Sequence, residues 1–260
     1  MKEVEQMNIY RMFLVTLLIS LALGQLYLWY TESDEQSMPV FTEEVVKANA
    51  TEYEEIRIQP LHKQAKTYEL NFQVPVFKDE NLTNFFEKQV QTMKTQFLTA
   101  IKMYDQVSAE RRGSLYITTD IYEGGEGLYS IVIDEESYTG GANVNQRTKV
   151  FLVDMKSKEL VDRSKIFKDP NQARDVLLPL VEEGLVKQYE GYVLEDELNK
   201  WLSQEGYDFS NLYVRDGAFV FKFNKYEVLA GAAGMPEVVI PISEVKDLID
   251  DEWLKRFQSE

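Results

Sequence analysis

"LYSIVIDEESYTGGANVNQRTKVFLVDM", Leu128 to Met155, joins two runs of strand character, "LYSIVIDEE" and "TKVFLVDM", through the loop "SYTGGANVN". The flanking runs are rich in β-branched residues. The join places Gly140 and Gly141 beside Asn143 and Asn145, residue types that tolerate turn backbones, so the stretch reads strand, loop, strand. On its N-terminal side "SLYITTDIYE" (114–123) meets "LYSIVIDEE" across "GGEG" (124–127), a hairpin signal because glycine supplies the positive φ that tight turns need. On its C-terminal side "KSKE" (156–159) turns the chain again. The central frame is therefore a meander of antiparallel strands.

The rest of the chain adds helices to that frame. "TYELNFQVPVF" (67–77) alternates like a strand but contains Pro75, which has no N–H for a ladder, so the strand is expected at an edge or to stop there. Leu82, Phe85, Phe86, Val90, Met93, Phe97, Ile101 and Tyr104 recur at three-and-four spacing and predict one long amphipathic helix, with Asp79 or Asn81 as its cap. Asp169-Pro170 opens a second helix whose buried face is read as Val176, Leu177, Leu180, Val181 and Leu185, with Pro179 expected to kink or shorten it. A short helix carries Leu194, Leu198, Trp201 and Leu202. "NLYVRDGAFVFKFNKYEV" (211–228) is a hairpin about Asp216-Gly217, and "EVVIPISEVKDLI" (237–249) closes with a strand and an amphipathic helix. Antiparallel runs with separate helices, lacking regular βαβ alternation, indicate the α+β class: antiparallel sheets with packed helices.

Residues 12–30, "MFLVTLLISLALGQLYLWY", carry no charge and as a helix reach roughly 28 Å, close to the hydrocarbon thickness of a bilayer. Tyr27, Trp29 and Tyr30 end the run where interfacial aromatics belong, and Arg11 opposes Glu32, Asp34 and Glu35, which puts the N-terminus inside. A cleaved signal peptide with "ALG" (22–24) as its small-residue site is the alternative, giving a secreted protein. The continuation of the apolar run past that site favours an anchor. The expected organisation is a cytoplasmic tail over 1–11, a transmembrane anchor or signal segment over 12–30, an acidic linker over 31–50, and an extracellular α+β domain over 51–260 with subregions of about 51–135 and 136–260. Eleven residues build no core, so no cytoplasmic domain is expected.

With 44 acidic against 28 basic residues, the formal charge is −16. A nucleic-acid partner needs a dense basic footprint and is not expected, whereas a cationic partner is attracted. The 260 residues include no cysteine and one histidine, His62 in the polar "QPLHKQAK" (59–66), so thiolate chemistry, histidine triads and His-based metal sites lack their parts. No catalytic residue, metal or cofactor is assigned, and an enzyme is not expected. "SYTGGANVN" is no phosphate loop, since it lacks the Lys-Ser/Thr pair and follows Asp134, Glu135 and Glu136; "LAGAAGMP" (229–236) also lacks the lysine.

Taken in order, "SYTGGANVN", "KSKELVDRSKIF" (156–167), a helix, and "DGAFVFKFNKYEVLAGAAGMPEVVIPISEVKDLI" (216–249) resemble the extracellular domain of lysozyme-sensing anti-sigma factors of Gram-positive bacteria. The same module is similar to an accessory region of membrane-anchored peptidoglycan deacetylases. The resemblance spans roughly 65–250 and implies an envelope-facing α+β module without catalysis of its own, which in some relatives binds lysozyme. This chain departs from the family pattern at Asn143, where histidine is usual, at Lys225, where proline is usual, and in "LAGAAG" (229–234) for "APYAAG". The reading is thus a membrane-anchored, outward-facing binding or sensory module that recognises a lysozyme-like cationic protein or a cell-wall component. A structural subunit of an envelope complex and a cell-wall-modifying enzyme are the alternatives. Ser137, Tyr138, Thr139, Asn143 and Tyr226 are the candidate binding residues, as polar and aromatic groups on scaffolded loops. Gly140, Gly141 and Gly234 are assigned to backbone geometry. Oligomeric state is not encoded in any pattern found.

Overall fold

The run "IVI" at 131–133 is buried on every residue, which places its strand in the middle of the protein with a layer on each side. A computed structural model describes residues 48–258 apart from 105, 106 and 109. The anchor or signal expected over 12–30, and the linker up to residue 47, lie outside the described residues.

Seven strands form one sheet in chain order: β1 (Asn49–Ala50), β2 (Ile56–Gln64), β3 (Tyr68–Phe77), β4 (Gly113–Gly125), β5 (Leu128–Tyr138), β6 (Asn145–Asp154) and β7 (Glu159–Leu160). The sheet is mixed, which corrects the purely antiparallel expectation. β3 and β4 run parallel, Tyr68 opposite Gly113 through Phe72 opposite Ile117. A parallel pair needs a long crossover, and α1 (Glu80–Tyr104) supplies it. Pro75 neither ends β3 nor puts it at an edge. The ladder to β4 stops at Phe72, so at Pro75 the strand has only β2 beside it, at Ile58. Most of the polar stretch containing His62 belongs to a strand, β2, whose outer neighbour β1 covers only Ile58 and Arg57.

α1 lies on one face of the sheet with Leu82, Phe86, Val90, Met93, Phe97 and Ile101 buried, and the Asp79 side chain accepts hydrogen bonds from the Asn81 and Leu82 N–H groups. Phe86 stacks on Phe77 at 5.2 Å and meets Phe151 of β6 edge-on at 5.3 Å. Those contacts fix α1 over the strands.

The opposite face carries a second layer. It comprises a 3-10 turn at Arg163–Ile166, α2 (Pro170–Gln188), α3 (Glu195–Leu202), and an antiparallel sheet of β8 (Leu212–Arg215), β9 (Ala218–Lys222) and β10 (Glu237–Pro241) in the order β10-β9-β8. Asp216 and Gly217 both have positive φ, 52° and 68°, as a two-residue hairpin requires. Asp169 caps α2 by accepting from Asn171 N and Gln172 N. Pro179 does not shorten α2; it sits on the exposed side and removes only its own N–H bond. Val176 is exposed and its expected place in the core is taken by Ala173 and Leu178. The C-terminal helix is broken, with α4 (Ile242–Val245) and α5 (Asp251–Phe257) separated by extended Ile249, which bridges Phe167, and by the Asp250 cap.

β5 binds the layers together. Ile131 and Ile133 join the α1 core, while Val132 packs with Val150, Tyr213 and Val220 of the second layer, and the Ser130 hydroxyl accepts from the Val214 N–H at 3.0 Å.

Candidate functional site

β6 pairs with β5 along its whole length but with β7 only at Val153 and Asp154. Its remaining outer edge is a row of backbone groups that an unprotected sheet would leave open. Here distant residues occupy it in alternation. The Lys225 ammonium donates to Val144 O at 2.9 Å, and the Lys225 N–H to Gln146 O at 3.2 Å. The Thr148 N–H donates to Asn224 Oδ1 at 2.8 Å, Arg163 donates to Val150 O, and the Val161 N–H to Leu152 O at 2.8 Å. Residues 224–227 are therefore seated beside the "SYTGGANVN" loop. Glu227 closes the second loop on itself, its Oε2 accepting from both Asn224 N and Asn224 Nδ2 at 2.8 Å.

Within the first loop the candidates part company. Ser137 pairs with Leu115 and Asn145 inside the sheet and is buried, beside the buried Glu135 with which it shares a side-chain hydrogen bond. Burial pushes the Glu135 carboxyl above its ordinary value, with Arg147 and Ser137 opposing. Ser137 is consequently part of the strand and not of the surface. Tyr138 is half-buried and its hydroxyl accepts from Arg111 Nε at 2.6 Å, while Arg111 Nη2 donates to Gly141 O at 2.9 Å. Arg111 thereby fixes both ends of the turn. Thr139 is half-buried and Asn143 exposed. Gly140 has φ 96°, the geometric role read for it, whereas Gly141 is not among the positive-φ glycines and a Cβ there meets nothing within 4 Å. Gly113, on β4, is the tighter glycine: its Cβ would lie 3.1 Å from Tyr138 O and 2.8 Å from Ile101 Cδ1.

Tyr226 is 49% exposed and holds a left-handed backbone at φ 69°, uncommon for an aromatic residue. Its ring lies over Gly231, where a Cβ would come within 2.1 Å of ring atoms, and the Lys225 ammonium sits 5.4 Å from the ring centroid. Gly234, φ 70°, ends the 3-10 turn Gly231–Ala233. The sequence reading singles out neither Arg111 nor Asn224, and it marks Lys225 and the "LAGAAG" segment holding Gly231 only as departures from the family pattern. Only the Asn224-x-x-Glu227 spacing, which resembles a cap box, could have drawn attention to Asn224.

Between the sheets lies a buried charge network. Lys222 Nζ is 2.7 Å from Asp134 Oδ2 and 3.4 Å from Glu237 Oε1; Arg215 reaches Glu237 Oε2 at 3.1 Å and the Tyr213 hydroxyl at 2.8 Å. Burial alone would lower the Lys222 pKa, but Asp134 and Glu237 outweigh it and hold it above its ordinary value. Among the described residues no group of three or more His, Asp or Glu side chains is placed to hold a metal ion.

Residues 164–243, from the 3-10 turn through β10, match the family described as "Protein of unknown function (DUF3298)". The segment includes the Tyr226 loop but not "SYTGGANVN". The peptidoglycan-N-acetylmuramic acid deacetylase PdaC of Bacillus subtilis is 24% identical over 209 residues, which are 79% of this chain and 44% of that protein. The chain thus spans less than half the length of that relative. Two solved structures share the fold, both at 16% identity: a DUF3298 family protein from Pseudomonas aeruginosa, TM-score 0.56 over 76% of this chain and 95% of the other, and one from Bacteroides fragilis, TM-score 0.57 over 79% and 98%.

Proposed function

We propose that this chain is a membrane-anchored, outward-facing and non-catalytic binding or sensory module of the bacterial cell envelope. Its recognition surface is the pair of loops seated on the outer edge of β6, with Asn143 and Tyr226 as the exposed contacts and Tyr138 and Thr139 behind them. The observation that carries the reading is the Lys225 bridge: one residue holds both loops through Val144 O and Gln146 O and presents Tyr226 next to the first loop. Holding an aromatic ring in a left-handed conformation costs on the order of 1–3 kcal/mol, and such outliers concentrate at recognition sites. The likeness to a peptidoglycan deacetylase over most of this chain supports an envelope role, and residues 12–30 supply the anchor. The ligand is a cell-wall component or a cationic protein such as lysozyme; the net charge of −16 would speed encounter with the latter, most strongly at low salt.

Sedimentation with insoluble peptidoglycan and calorimetry with lysozyme test this on the full chain at roughly 0.15 M salt, where screening falls to about 8 Å and local contacts dominate. Binding to one of the two, weakened about tenfold by Tyr226→Asn, is expected; asparagine tolerates the left-handed backbone while removing the ring. Binding to neither, or binding indifferent to both Tyr226→Asn and Asn143→Ala, overturns the assignment of these loops.

A further inference from the structure

A cleft of about 380 Å³ opens beside the paired loops, walled by β6, the 3-10 turn, the segment before β8 and the end of β9. Among the described residues, four buried side-chain polar atoms have no hydrogen-bond partner in the protein, and three of them belong to residues lining this cleft: Thr148 Oγ1, Arg163 Nε and Asn211 Nδ2. All three can donate. Buried donors are nearly always paired, so three orphans converging on one concavity mark a place where another molecule completes the bonding.

The pattern of partners that do exist sharpens the chemistry. Arg163 spends one nitrogen on Val150 O, which orients the guanidinium and leaves its Nε–H unpaired. Asn211 Oδ1 accepts from the Tyr207 hydroxyl, so its amide is oriented with the NH₂ unused. Lys222 is already matched by Asp134 and Glu237. Lys149 donates to neutral Gln89 Oε1 and has the Glu135 carboxylate within electrostatic reach. Outside the Lys222 network, the charges that line the cleft are Arg163 and Lys149 against Glu227, a local cationic excess in a chain whose formal charge is −16. Burial holds the Arg163 guanidinium below its ordinary value despite Asp208 and Asp162 nearby, consistent with a cation short of counter-charge.

We propose that this cleft binds a small carboxylate-bearing molecule, its carboxylate held by Arg163 and its remaining polar groups by Asn211 and Thr148. Planar guanidinium and amide donors suit a planar two-oxygen acceptor, and the volume accommodates a molecule of monosaccharide or dipeptide size. The donors lie in the wall, closed to bulk water, so the carboxylate is seated deep and any neutral portion faces the opening. None of the five loop candidates contributes, so this site stands or falls separately from the loop surface.

Ligand-observed NMR titration of the full chain tests it with N-acetylmuramic acid, alanyl-alanine and N-acetylglucosamine. The first two bring a carboxylate from a sugar and from a peptide; the third is the first without its carboxylate arm. Binding of at least one carboxylate probe below about 10 mM is expected, with N-acetylglucosamine at least tenfold weaker. Asn211→Asp keeps the acceptor for Tyr207 but replaces the donor with a repelling charge, and should weaken the bound probe by about tenfold or more. Should that variant unfold, Thr148→Val keeps the side-chain shape, leaves the fold intact, and is expected to weaken binding several-fold. Failure of both carboxylate probes, equal binding of N-acetylglucosamine, or affinity unchanged in the folded variants overturns the proposal.

Discussion

Replacing Lys222 with methionine removes the cation at the centre of the inter-sheet network while keeping the length of the side chain. Lys222 is 9% exposed in its side chain and its partners Asp134 and Glu237 are 19% and 26% exposed, so solvent cannot substitute for the lost ammonium. Breaking a buried pair by deleting one partner costs about 3–5 kcal/mol. Glu237 retains Arg215, but among the described residues Asp134 has no second cation within ion-pair distance, its Oδ1 is already unpaired, and Asp120 beside it adds repulsion. The cost falls on Asp134 and is placed at about 3 kcal/mol, the lower end. With a urea slope of about 2–3 kcal/mol/M, the midpoint should fall by roughly 1 M or more, followed through Trp201 and Trp253 fluorescence. Adding Asp134→Asn should restore at least half of the loss, because it removes the charge that Lys222→Met strands. The Lys222 pKa is raised above 10.5 in the folded state. Its stabilisation is therefore complete below 10.5 and is lost as pH rises through the folded value. A midpoint unchanged by Lys222→Met, or a double variant no more stable than the single, refutes the reasoning.

Gly125→Ala should cost more than about 2 kcal/mol in thermal unfolding, since the backbone is at φ 129° and a Cβ would lie 2.3 Å from Arg256 O. Gly141→Ala, with nothing within 4 Å, should leave the melting temperature unchanged, whereas Gly231→Ala should displace the Tyr226 ring and broaden its NMR signals. Arg256→Met should destabilise by about 3 kcal/mol at neutral pH by stranding Asp154, which Arg256 holds below its ordinary value of 3.8. That stabilisation is present above 3.8 and lost as pH falls through the lower folded value, so the gap between variant and parent in urea midpoints should close in acid. Ser130→Ala should cost about 1–3 kcal/mol by leaving the Val214 N–H unpaired between the layers.

Much of the fold was legible because it is written locally. The α1 stripe, the Asp79 and Asp169 caps, the "GGEG" and Asp216-Gly217 hairpins and the β5–β6 meander are each set by residues within a few positions of one another. The misreadings arose where a local rule met a distant neighbour. Pro75 reads as a strand end or an edge because β4, which flanks the first half of β3, is joined to it across a 25-residue helix and its ladder stops at Phe72, before the proline. β2 escapes the period-two pattern because Pro60 and its polar residues blur the alternation, and only pairing with β3 identifies it as a strand.

The sequence by itself determined most of the helices and hairpins, the α+β class, the acidic composition and the absence of cysteine chemistry, since composition and short-range periodicity are properties of the chain alone. It also singled out the two glycine-bearing loops. That they sit together was decided by tertiary structure, through hydrogen bonds between residues 76 and 81 positions apart, Thr148 to Asn224 and Lys225 to Val144. The same holds for the sorting of Ser137 into the sheet, Tyr226 onto the surface, and Arg163, Asn211 and Thr148 around one cleft. Burial and unspent hydrogen-bonding capacity depend on which distant atoms fill the space around a side chain, and that information exists only once the sheet edge, the turns and the second layer have packed.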